Sequence, residues 1–186
     1  MRGERFGSRP DGIPIDRTAR VLCGSGEVWL DRSVSTLPDD IELDGVTLIR
    51  IDAPEDIACW TAGVEGGDGG WTVSIIADPA EEPSAEARET AQGVVTEFAA
   101  LTEAAIGYLV DELAGPHREL SDVDLARLSG EEPPFGAPEA VVWQDGTWMM
   151  RFAECGLEIG DEYGVGVMFA GRTPVAVEDL SDPGDV

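Results

Sequence analysis

Hydrophobic positions recur along this chain with two periods: every second residue in two stretches, and every third or fourth residue in one stretch between them. Val28-Trp29-Leu30 opens the first strand-like stretch. Ile41-Glu42-Leu43 and Val46-Thr47-Leu48 flank Asp44-Gly45, a dipeptide suited to the positive φ angles of a type I′ turn. A hairpin is therefore expected, with Leu43 opposite Val46 and Ile41 opposite Leu48. Ile57 to Ala62 and Trp71 to Ala77 read as two further strands joined through the Gly-rich run 63–70. In the second of these, Trp71, Val73, Ile75 and Ala77 alternate with Thr72, Ser74 and Ile76, as in a strand buried on one side.

The middle stretch predicts one long helix over residues 85–113. Ala87, Ala91, Val94, Phe98, Leu101, Ala105 and Tyr108 repeat at spacings of four and three, and Val95, Thr102, Ile106, Leu109 and Leu113 widen the stripe to the width of a helix lying on a sheet. Ser84 is the expected N-cap and Glu86 suits the first turn, where the helix dipole favours a carboxylate. Gly115-Pro116 supplies the stop. At about 1.5 Å per residue the helix spans roughly 40 Å. Gly93 is a candidate bend. Gly93, Ala100, Ala104 and Gly107 on the opposite face form either a docking seam or a solvated surface. A short second helix is expected from Asp122 to Leu128, capped by Ser121, before an extended loop at Pro133-Pro134.

The second β stretch centres on Val141 to Met150. With Asp145-Gly146 read as a two-residue hairpin loop, Gln144 faces Thr147 and Trp143 faces Trp148. Val141, Trp143, Trp148, Met150 and Phe152 then share the face that the long helix covers. Val165, Val167 and Phe169, followed by Gly171-Arg172-Thr173-Pro174 and then Val175 and Val177, predict a last strand pair. Strands, helix and strands with hairpin links give an α+β fold, a mainly antiparallel sheet against one long helix (85–113) plus one short helix. Residues 1–20, rich in Gly, Pro and Arg, are expected to be poorly ordered, residues 21–180 to form a single domain, and 181–186 an acidic tail.

Charge changes the picture more than any motif. The chain has 186 residues, with 12 Lys+Arg against 38 Asp+Glu and a net charge of −26. Every cation is Arg, and Asn is absent as well as Lys, a bias that a GC-rich genome accounts for. The carboxylate excess is separate from that bias. It repels nucleic-acid phosphates and anionic lipid and favours encounter with basic proteins, or else reflects adaptation to a salty cytoplasm. No nucleic-acid or membrane partner is expected; the oligomeric state is left open. Beyond the Arg-rich N-terminus there is no apolar run of signal-peptide type, and no stretch is expected to cross a membrane, so the chain reads as cytoplasmic. Cys23, Cys59 and Cys155 are few and scattered, consistent with reduced thiols rather than a disulfide framework.

The residue inventory excludes much chemistry. The one histidine, His117, follows the long helix, where with Arg118 it offsets Asp111 and Glu112. No nucleophile motif accompanies it, and multi-histidine zinc sites are ruled out. The Gly-rich run 63–70 lacks the phosphate-loop Lys, contains Glu65 and Asp68, and leads into a strand. Among the carboxylate clusters, Glu154, Glu158, Asp161 and Glu162 lie near the end of an expected central strand and are the group to test for hard-cation binding or acid–base work. No catalytic, metal or cofactor residue is assigned.

Gly26-Glu27-Val28-Trp29-Leu30-Asp31-Arg32 and Leu43-Asp44-Gly45-Val46, with Tyr163 to Phe169 and Pro174 to Glu178, resemble stretches of small bacterial domains found among polymorphic-toxin immunity proteins. The resemblance covers about a fifth of the chain. It implies a cytosolic binding protein and carries over no active-site residue. Three functions stay open: a non-enzymatic acidic binding protein that neutralises a basic partner, a structural or accessory protein with no specific basic partner, and a carboxylate-dependent, metal-assisted enzyme.

Overall fold

The computed structural model of the chain describes residues 37–64, 70–115, 120–130, 133–160 and 163–180, all within one unit. The strand expected at Val28, the segment 1–20, the 20/21 boundary, His117, Arg118 and the tail 181–186 lie outside the described residues.

Eight strands form one sheet in sequence order: β1 (Asp40–Leu43), β2 (Val46–Ile51), β3 (Ala58–Val64), β4 (Trp71–Ala77), β5 (Pro138–Trp143), β6 (Trp148–Phe152), β7 (Val165–Ala170) and β8 (Thr173–Asp179). Neighbours are antiparallel except β4 and β5, which run parallel. A parallel pair needs a long crossover, and here it holds both helices, α1 (Ala85–Leu113) and α2 (Asp122–Leu128). The expected α+β class and both helices are thus observed. The Gly-rich run connects a hairpin, since Val64 lies opposite Trp71.

Local chemistry sets the first hairpin. Leu43 pairs with Val46 and Ile41 with Leu48, and Asp44 and Gly45 both have positive φ, 47° and 85°, as the type I′ turn requires. The Ser84 hydroxyl accepts the Ala87 N–H at 2.9 Å, the expected cap of α1. Ala87, Ala91, Val94, Phe98, Leu101, Ala105, Leu109 and Leu113 form its buried line, and the helix touches β1 and β4 through β8. Tyr108 is only partly buried. Ala100 and Gly107 are exposed, and among the described residues no second helix packs on this side of α1. By length and composition α1 would pass for a membrane span, contrary to the expectation that no stretch would; its buried line packs on the sheet instead.

Two expectations are corrected. The bend falls at Glu97 (φ −116°, ψ 17°) rather than at Gly93. There the Thr96 hydroxyl lies 2.8 Å from the Gln92 carbonyl, a back-bond that bends helices, and Glu97 itself pairs with Arg172 of the β7–β8 turn. The second correction concerns the β5–β6 hairpin. Trp148 pairs with Val142 and Met150 with Ala140, one residue away from the expected register. The loop has three residues, Gln144-Asp145-Gly146: Gly146 N–H bonds to the Trp143 carbonyl at 2.9 Å, Trp143 N–H bonds to the Thr147 carbonyl at 2.9 Å, and Gly146 alone has positive φ, 78°. A one-residue slip exchanges the faces of a whole strand. Val142 and Ala140 therefore join Trp148, Met150 and Phe152 beneath α1, while Val141 and Trp143 turn to the opposite side.

Trp60 and Trp148 are fully buried at the core, and each indole N–H meets a carbonyl, of Pro38 and Gly171 respectively, at 2.9 Å. Trp71 stacks on Phe98 and Trp148 on Phe169, with ring centroids 4.2 and 4.1 Å apart.

Candidate functional site

Strand pairing sorts the sheet into two faces. The face beneath α1 is the core, from Ile41 and Leu48 through Trp60, Ile75, Val142 and Met150 to Val167. The other face is not part of that cluster, and neither helix contributes to it among the described residues. Register places its side chains in rows across the strands. One row is Ile51, Cys59, Ile76 and Trp143. The next is Ile49, Thr61, Ser74, Val141, Met149, Met168 and Ala176. A third, Thr72, Glu139, Arg151, Gly166 and Glu178, is polar.

An antiparallel sheet with one solvated face ordinarily carries polar side chains there. Here the first row is apolar throughout and the second largely so. Ile49 and Ile51 are the most open, 60% and 47% exposed, whereas Ser74 and Val141 are buried. Ser74 and Thr61 satisfy one another through a 3.0 Å hydroxyl contact. In the polar row Arg151 donates to Glu139 Oε2 and to the Tyr163 carbonyl, each at 3.3 Å. Cys59 sits half-buried in the first row; burial raises its thiol pKa above the ordinary 9.0, and the Glu139 carboxylate adds to the rise. A thiol held in its neutral form packs as a small apolar group and is a poor nucleophile.

The edges are less inviting than the face. β1 has four residues and carries Asp40 and Glu42. β8 begins Thr173-Pro174 and has a register shift opposite Met168/Phe169. Short charged strands, proline and bulges all oppose strand addition.

Of the carboxylate group read from the sequence, two members can be placed. Glu154 and Glu158 are exposed, Asp161 and Glu162 lie outside the described residues, and among the described residues no three metal-ligating side chains converge. Glu154 and Cys155 line a shallow cleft with Pro134, Phe135 and Gly136. Burial raises the Cys155 thiol as well. A second groove, between α1 and the hairpin turns, holds Glu86, Glu89 and Glu97 beside Arg172 above Trp148.

Sequence reasoning missed this second apolar face because it assigned one buried side to each strand. The signal was there in Ile49, Ile51, Ile76, Val141 and Met149, apolar residues of the parity opposite to the core set. Compared with protein-family models, with curated proteins and with solved structures, the chain matches none, and the reading of its site rests on this geometry.

Proposed function

We propose that this chain is a non-enzymatic, acidic cytosolic binding protein that neutralises or shields a basic protein partner, in the manner the resemblance to immunity proteins implies. The observation that carries the reading is an apolar row, Ile51, Cys59, Ile76 and Trp143, on the sheet face away from α1, with Ile51 and its neighbour Ile49 exposed, on a chain of net charge −26. Such a field speeds the approach of cations, and desolvated apolar and aromatic side chains then supply most of the binding energy. The same field disfavours nucleic acid and anionic membrane as partners.

The test is capture from the native host at low and at moderate salt. Recovery of a basic protein whose retention falls as salt rises supports the reading; recovery of no basic protein at either salt removes it.

One observation favours a second reading, an accessory protein without a specific basic partner. Exposed carboxylates lie on the outer side of α1 (Glu89, Glu103), on α2 (Asp122), in the 52–56 loop and on β1 and β8, so acidity is not gathered on one face. That reading predicts no salt-dependent partner.

A further inference from the structure

We propose that the Thr96–Glu97 bend of α1 is a clasp that ties the two edge hairpins of the sheet, β1–β2 and β7–β8, into one unit that opens together.

Two adjacent residues of the helix hold turns from opposite edges of the sheet. The Thr96 hydroxyl lies 3.1 Å from Asp44 Oδ2 in the β1–β2 turn, and the Glu97 carboxylate pairs with the Arg172 guanidinium in the β7–β8 turn. In a flat sheet, eight strands at about 4.8 Å would hold β1 and β8 about 34 Å apart, farther than the linked side chains reach. Both edge strands nonetheless touch one helix, about 10–12 Å across. The sheet is therefore curled round α1, and the bend is the point at which turns from its two edges are fastened together.

Neither fastening is strong by itself. Asp44 is exposed, the Arg172 and Glu97 side chains are 69% and 35% exposed, and exposed ion pairs add little stability. Their effect comes from placement. The Thr96 hydroxyl has one proton and two acceptors within reach, Asp44 Oδ2 and the Gln92 carbonyl at 2.8 Å. It holds Asp44 while the helix is bent and turns wholly to its own helix when the bend shifts. Glu97, whose dihedrals make the bend, is held by Arg172. The arms on either side are anchored elsewhere: Ser84 and Thr90 bond to the β5–β6 loop, and Leu101, Ala105, Leu109 and Leu113 are buried. Loss of Arg172 thus frees the bend, and a freed bend releases Asp44. Hairpins at a sheet edge open locally, and two that bias the same two-state contact open together.

Hydrogen exchange followed by mass spectrometry on the full chain tests the coupling. Arg172→Gln is expected to speed exchange at least threefold in β1–β2, on the far edge of the sheet, as well as in β7–β8. Thr96→Val is expected to do the same in β7–β8 as well as in β1–β2. Both substituted positions are exposed, and exchange in β4 and β5 is expected to stay unchanged. Arg88→Gln makes the same charge change and breaks the Arg88–Glu82 pair at the start of α1; it is expected to leave both edge hairpins unchanged. Faster exchange confined to the hairpin that each variant touches overturns the clasp. So does a uniform rise that includes β4 and β5, which assigns the effect to global stability, and so does an equal response to Arg88→Gln.

Discussion

Ser84 and Gln144 hold each other across the start of α1 and the β5–β6 loop. The Ser84 hydroxyl lies 2.7 Å from the Gln144 main-chain carbonyl, and the Ser84 N–H donates to the Gln144 side-chain oxygen at 3.2 Å. The Gln144 amide donates in turn to the Glu82 carbonyl and to Glu81. A helix cap is thereby shared with a hairpin turn 60 residues away, and the loop is held in its three-residue form.

Ser84→Ala removes the cap and this link together. Loss of an N-cap hydroxyl alone costs about 1 kcal/mol. A destabilisation of roughly 1–2 kcal/mol is expected in urea unfolding, above the cap value because the Gln144 carbonyl also loses its partner. Gln144→Ala, which leaves the Ser84–Ala87 cap in place, should cost less.

Gly146→Ala tests the loop geometry. Gly146 has φ 78°, and a β-carbon there would meet Glu86 Cγ at 2.5 Å. Strain at a left-handed position costs on the order of 1–3 kcal/mol, and the Glu86 side chain must also move. The expected result is a lower unfolding midpoint with the α1 start perturbed in amide spectra. A neutral outcome would contradict the three-residue loop.

Asp145 has a lowered carboxyl pKa, first because the Thr147 hydroxyl donates to it and then because the Thr147 N–H does. A depressed folded pKa contributes stability that is present above the ordinary value of 3.8 and is lost as pH falls through the folded value. A carboxyl titration followed by NMR should place the Asp145 midpoint below 3.8, and Thr147→Val should move it back up while leaving the main-chain bond.

Cys59 and Cys155 are both expected to react slowly with N-ethylmaleimide at neutral pH, because burial raises both thiols above 9.0. For a raised thiol the stability contribution is present below the unfolded pKa and is lost as pH rises through the folded one. Site-resolved mass spectrometry should show both rates climbing only in alkaline solution. Rapid modification of Cys59 at neutral pH would contradict its half-buried setting.

The elements were legible in the sequence wherever the deciding forces are local. The stripe from Ala87 to Leu113, the Ser84 and Ser121 caps and the Asp44-Gly45 turn each depend on residues within a few positions of one another. They fixed both helices, the first hairpin and the α+β class. The second Asp-Gly hairpin carried the same local signal and folded differently, because contacts from Ser84 and Glu86 on a distant helix compete with the turn's own preference. That single shift in register decided which side of β5 met the core. It sent Val141 and Trp143 to the far face, beside Cys59 and Ile76 from strands 60 and more residues away. The apolar row exists only through that pairing across strands. Its charge and composition were in the sequence; its assembly into one surface was decided by tertiary structure.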